Sequence, residues 1–272
     1  MAKSLTAADL ASFARNGYLC PLPGLSEGEA AATLAALEEF ERRHDGFGKL
    51  LRFKAHLRLA ALMAVARDER ILDAVEDLIG PDILLFTSTL WPKDAKDGRF
   101  VSWHQDSAYF GLTPHEEVTA WIAFTRSDRE NGCVRVMPGS HRGVDYSHDE
   151  THEPDNLLMR GQTIRGLDEA KAANLELSPG QFSLHQERTV HGSLPNQSAI
   201  RRIGYALFFI PTHVRSTLGR RSALLVRGRD EYGHWDPDPT PRYDDDPLID
   251  AFIRSTFQQY RDQEPTAART PS

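Results

Sequence analysis

Ile83-Leu84-Leu85-Phe86-Thr87-Ser88-Thr89-Leu90-Trp91 decides how the rest of the chain is read. The run is short, apolar and rich in strand formers, and it starts just after Gly80-Pro81. That composition predicts a β-strand. Further strands are predicted over 100–104, 118–125, 134–137, 181–184 and 203–210, with clusters of Gly, Pro, Asn and Asp between them. Many short strands with such punctuation favour a sandwich or jelly roll over a parallel α/β sheet.

Upstream of this run the spacing is helical. Thr6 stands as an N-cap with Asp9 three residues on, Leu10, Phe13 and Ala14 follow at helical intervals, and Asn16-Gly17 closes the element. Ser26 and Glu29 open a second helix that runs through Leu34, Leu37 and Phe40. A third helix is predicted over 68–78, and all three read as packing elements. The chain thus divides into a helical part (about 1–80), a β core (about 81–212) and a loop with a final helix (213–264). The last helix is placed at 247–261, with a disordered tail after Glu264.

Two irregular stretches interrupt the pattern. Residues 143–173 are long and polar, the character of a lid over a site or of a disordered segment. Residues 212–246 include Asp236-Pro237-Asp238-Pro239 and Asp244-Asp245-Asp246, read as a solvated charged face. No linker divides two cores, which gives a single domain.

Composition narrows the function. Of 272 residues, 40% are hydrophobic and 26% charged, enough for a buried core. Thirty-two basic against 39 acidic residues give a net charge of −7, which argues against a broad nucleic-acid surface. Cys20 and Cys133 form neither a disulfide framework nor a thiolate cluster, so a reducing cytoplasm is the expected compartment. Lys3, Asp9 and Arg15 break any secretory h-region, and no run approaches the ~18 apolar residues of a membrane span. The expected partner is a small molecule. Oligomeric state is not legible.

Trp103-His104-Gln105-Asp106 carries the chemistry. On a strand, His104 and Asp106 would face one side and Gln105 the other. An imidazole and a carboxylate suit iron(II) or zinc. Of 11 histidines, His191 is the best third ligand, because Val190-His191-Gly192-Ser193 reads as a strand end whose glycine permits close backbone approach. Two histidines and one carboxylate leave coordination positions open for a cosubstrate and dioxygen. Arg202 stands where it could anchor a dicarboxylate through its planar fork. Alone, a His-x-Asp triplet is also compatible with a hydrogen-bonded core histidine.

Three longer blocks resemble the phytanoyl-CoA dioxygenase family. They are Trp103-His104-Gln105-Asp106-Ser107-Ala108-Tyr109, Asn131-Gly132-Cys133-Val134-Arg135-Val136-Met137-Pro138-Gly139-Ser140-His141-Arg142, and His191-Gly192-Ser193-Leu194-Pro195-Asn196-Gln197-Ser198 followed by Arg201-Arg202. The resemblance implies a double-stranded β-helix (a cupin-like jelly roll) with N-terminal helices. It also implies iron(II), 2-oxoglutarate and dioxygen. His104, Asp106 and His191 would hold the iron. Arg202 would bind the distal carboxylate, with Ser193 close by and Arg201 as its rival. Gly204 would leave room for the cosubstrate. Trp121 matches a position near the cosubstrate, Thr89 could face the same pocket, and Lys54 and Lys93 lie where some relatives carry a basic residue. The middle block reads as structural, and His141 as no ligand. Halogenating relatives replace the carboxylate with a small residue, so Asp106 favours hydroxylation. Relatives act on acyl-CoA, amino acids, phosphonates, osmolytes and natural-product intermediates. A small polar metabolite or natural-product intermediate is the expected substrate here. A zinc hydrolase using the same ligands, or a metabolite-binding jelly roll without activity, are the competing readings.

Overall fold

The computed structural model describes residues 2–44, 46, 50–143, 145–151, 153–158 and 161–262. In chain order the elements are α1 (Ala7–Asn16), β1 (Tyr18–Leu22), α2 (Glu27–Arg43), α3 (Ala60–Ala66), α4 (Glu69–Ile79), β2 (Ile83–Lys93), β3 (Val101–His104), α5 (Ser107–Phe110), β4 (Leu112–Thr113), β5 (Val118–Ala123), β6 (Val134–Val136), β7 (Asp149–Glu150), β8 (Gln162–Thr163), β9 (Ala173–Leu175), β10 (Phe182–Gln186), β11 (His191–Ser193), β12 (Arg202–Pro211), β13 (Arg215–Ser216), β14 (Ser222–Arg227), β15 (Asp236–Pro237) and α6 (Pro247–Asp262). The helix starts follow their predicted caps. Thr6 with Asp9 and Ser26 with Glu29 form reciprocal capping boxes, and Gly17 ends α1 at φ 81°.

Two sheets face each other in a jelly roll. The larger runs β1-β10-β5-β12-β2-β14-β15, the smaller β3-β11-β6-β9. Alternation along β12 sorts the core. Ile203, Tyr205, Leu207 and Phe209 pack outward with Ile71, Leu72 and Val75 of α4 and with Leu37 and Phe40 of α2. Ala206, Phe208 and Ile210 turn inward to Val134, Val136 and Leu175 of the small sheet. The helical N-terminus therefore covers one face of the large sheet and leaves the other to line the space between the sheets.

Some elements lie where sequence gave no strand. β1 carries Pro21 and sits at the sheet edge, the place a strand tolerates proline. β14 falls in the stretch read as irregular, yet it pairs with β2. The acidic runs there are only partly solvated. Asp238 is 7% exposed and Asp246 2%. Asp246 accepts from Arg242 Nε and Nη2 (both 2.7 Å) and from Leu248 N at the start of α6 (3.0 Å). Asp244 accepts from Ala60 N (2.7 Å), tying this segment to α3.

Described residues within 143–173 lie along β3. Leu157 N donates to Phe100 O (2.8 Å), Ile164 N to Trp103 O (2.7 Å), and Ser102 Oγ to Gln162 O (2.8 Å). Gln105, turned away from its neighbours His104 and Asp106, accepts from Tyr146 N (2.9 Å). The tail after Glu264 lies outside the described residues.

Candidate active site

His104 ends β3 and stands in register with His191, which opens β11. Their ring centroids are 4.1 Å apart, tilted by 50°. Asp106 reaches them differently from the strand reading. β3 stops at His104, and Asp106 adopts a helical conformation (φ −64°, ψ −31°) at the head of α5. Its carbonyl accepts from Tyr109 N (2.8 Å), so a turn swings the carboxylate back toward the two imidazoles. Asp106 Oδ1 is 3.4 Å from His104 Nε2, and Oδ2 is 3.9 Å from His191 Nε2. One donor atom from each of the three residues lies within 4.8 Å of the others.

The histidine tautomers fit a metal. His104 Nδ1 donates to Ser102 O (2.9 Å) and His191 Nδ1 to Thr189 O (3.0 Å). With Nδ1 of each ring donating to a backbone carbonyl, both Nε2 atoms are turned toward Asp106, the arrangement metal-binding histidines use. Burial, reinforced by His104, holds His191 well below its usual range. Burial works against ionisation of Asp106, but His191 and His104 outweigh it and hold the carboxyl below its usual range. Two imidazoles and a carboxylate are the donor set an iron(II) ion needs.

Arg202 begins β12 and is 2% exposed. Its guanidinium lies over the Trp121 ring, 5.2 Å from the centroid. Nε has no hydrogen-bond partner, and among the described residues no carboxylate pairs with the group. A buried arginine left without an anion is costly, so the site is complementary to an incoming carboxylate. Arg201 faces the other way and pairs with Glu41 through both terminal nitrogens (2.6 and 2.7 Å). Gly204 leaves room for Trp121 instead of a cosubstrate, since a Cβ there would fall 1.8 Å from Trp121 Cζ2.

The remaining candidates separate. Lys93 stands opposite Arg202 in register, and its Nζ donates to Ser193 Oγ (2.7 Å) and to the Leu194 carbonyl. Burial and the neighbouring Arg202 push Lys93 down to about 6. Thr89 lies opposite Ala206 on the inward face, and its hydroxyl donates to Arg52 O (3.1 Å). Lys54 goes elsewhere. Its ammonium is spent on Asp238 (2.8 and 2.7 Å), Phe86 O and Ser222 O (3.1 Å each) in a buried structural cluster. Arg52, two positions earlier, joins Arg202 and Lys93 at the inner wall, stacked on Trp91 at 4.2 Å with one N–H on Leu157 O (2.9 Å). Sequence reading missed it because no strand or helix pattern fixes the register of that loop. It also missed His185, which alternation along β10 would have turned inward with Ser183. The middle block braces the site as expected. Asn131 Oδ1 caps Asp128 N (2.8 Å), and Ser140 Oγ accepts from Val190 N (2.8 Å) beside His191.

Comparison with known proteins agrees with this geometry. The family model for phytanoyl-CoA dioxygenase (PhyH) matches residues 13–204. A probable alpha-ketoglutarate-dependent hypophosphite dioxygenase of Stutzerimonas stutzeri is 35% identical over 200 residues, 70% of each chain. The peroxisomal phytanoyl-CoA dioxygenase of Bos taurus is 32% identical over 133 residues, 47% of this chain and 40% of that one. Among solved structures, the apo form of the non-heme monooxygenase ThoJ superposes with TM-score 0.83 at 30% identity, covering 94% of this chain and 96% of the other. CytC3 with Fe(II) and alpha-ketoglutarate gives TM-score 0.65 at 25% identity, covering 88% and 95%. Fold, donor set and relatives define an iron(II)- and 2-oxoglutarate-dependent dioxygenase. The chain belongs to the phytanoyl-CoA dioxygenase family.

Proposed function

We propose that this dioxygenase hydroxylates a small polar or anionic metabolite. The observation that carries the cosubstrate side is Arg202, a buried guanidinium without an anion on the wall facing the metal cluster. His104, Asp106 and His191 would hold the iron, and Arg202, with Ser193 and Lys93 beside it, the distal carboxylate of 2-oxoglutarate. When bound, the iron and the 2-oxo acid supply oxidative decarboxylation to succinate and carbon dioxide, coupled to oxygen insertion into the substrate. The chain's part is placement. Trp121 supports Arg202, and Thr89 fixes the Arg52 loop to the inner wall. Arg52 adds a second positive group on that wall.

Lys93 gives cosubstrate binding a pH dependence. With a depressed value near 6, its amine is largely neutral above that pH. A carboxylate delivered to Arg202 brings negative charge that raises Lys93 again, against the opposing field of Arg202 and Arg99 and alongside that of Asp97. Binding at about pH 7–8 then takes up a proton, and affinity for 2-oxoglutarate falls as pH rises through that window. Calorimetry in two buffers of different ionisation enthalpy reads the uptake. Identical heats in both would remove Lys93 from the carboxylate's surroundings.

A small anionic substrate is favoured by the 35% identical relative, a probable hypophosphite dioxygenase, and the net charge of −7 argues against a broad cationic surface for coenzyme A. The iron-loaded protein, given 2-oxoglutarate and pools of small metabolites including hypophosphite and simple phosphonates, is expected to add one oxygen to a member of the pool with matching succinate. Oxidation of acyl-CoA alone would overturn it. We also place the protein in the cytoplasm as a single catalytic unit without nucleic-acid or membrane partners. Both cysteines are free, which a reducing compartment favours.

A further inference from the structure

His185 has no role in the chemistry described so far. It lies in β10 opposite Thr119 of β5. Leu184 joins the outer core, so alternation turns Ser183 and His185 inward. His185 is 2% exposed, and neither ring nitrogen has a hydrogen-bond partner. Ser183 Oγ beside it is also buried without a partner. Buried polar groups are nearly always satisfied, so an imidazole with both nitrogens idle asks for something to complete it. Its place says what. The ring centroid is 4.6 Å from that of His191, tilted by 51°. Yet the cluster of donor atoms that could hold one metal ion comprises His104, Asp106 and His191 alone among the described residues. The three ligands come from β3, β11 and the turn after β3, whereas His185 faces them from the large sheet.

We infer that His185 holds the metal-side end of 2-oxoglutarate, donating an N–H to its C1 carboxylate while Arg202 holds the far end. An imidazole carries at least one N–H in either charge state, so the role does not depend on its protonation. The inference rests on the cosubstrate reading above. It accounts for a buried histidine whose two ring nitrogens have no partner within the protein.

The test uses the full-length protein loaded with nickel(II), which binds the same donors without turnover. His185→Phe keeps the bulk and removes the donor; His185→Leu serves in its place should the phenyl ring not pack. The apo variant is expected to melt no lower than wild type, because an unsatisfied buried polar group is gone. Nickel affinity stays unchanged. Affinity for 2-oxoglutarate falls on the order of 10-fold or more, the scale of one charge-assisted hydrogen bond. His185→Gln, which retains a donor, recovers part of it. In the anaerobic iron(II) protein the visible charge-transfer band with 2-oxoglutarate shifts in the Phe variant. Wild-type 2-oxoglutarate affinity in the variant would overturn the inference alone. So would a parallel loss of nickel affinity, which would make His185 a support for the metal ligands. Failure of the nickel-loaded wild type to bind 2-oxoglutarate would overturn the cosubstrate reading itself, and this inference with it.

Discussion

Asp106→Ala is expected to lose substrate-coupled turnover by well over ~100-fold, since even partners one step outside a metal's ligands cost 10–100-fold. Asp106 is the one anion of the cluster. Its two oxygens face His104 Nε2 at 3.4 Å and His191 Nε2 at 3.9 Å, so its removal leaves two imidazoles and no anion to balance a divalent ion. The fold should survive, because the carboxylate bonds only within the site while the turn after β3 is held by backbone hydrogen bonds from Tyr109 and Phe110 to Asp106 O (2.8 and 3.1 Å). Iron content and succinate release, measured with the hydroxylated product, check it. Near-wild-type turnover would take Asp106 out of the metal's coordination sphere.

Arg202→Met separates binding from folding. A bidentate guanidinium–carboxylate pair is two charge-assisted hydrogen bonds of about 1.5–3 kcal/mol each. The KM for 2-oxoglutarate should therefore rise by two orders of magnitude or more, roughly 3–6 kcal/mol. The apo protein should lose little stability, because the native arginine is a buried charge with no pairing carboxylate and an idle Nε. The methionine side chain takes the place of the guanidinium over the Trp121 ring. The outcome that contradicts this is a lowered Tm with an unchanged KM, which would make Arg202 a structural residue.

Much of this was legible in the chain because the relevant signals are local. The capping boxes at Thr6 and Ser26 and the alternation of β12 each depend on neighbours a few residues apart. Alternation sets Arg201 and Arg202 on opposite faces of the strand, and the family's spacing favours Arg202. What failed depended on geometry between distant segments. Asp106 was assigned to the strand face, but β3 ends two residues earlier and a turn presents the carboxylate. Asp238 read as solvated charge, but it lies under Lys54, 184 positions away in sequence. That pairing also took Lys54 out of the pocket, where Arg52 joins Arg202 and Lys93 at the wall. His185 escaped notice because the predicted strand stopped one residue short of it.

The most direct test is anaerobic titration of the iron(II) protein with 2-oxoglutarate, followed by admission of oxygen. A charge-transfer band that saturates at one equivalent, then one succinate released for each 2-oxoglutarate consumed, is the expected result. Zinc retained in the isolated protein, hydrolytic activity, and no band or succinate on addition of iron and 2-oxoglutarate would contradict it.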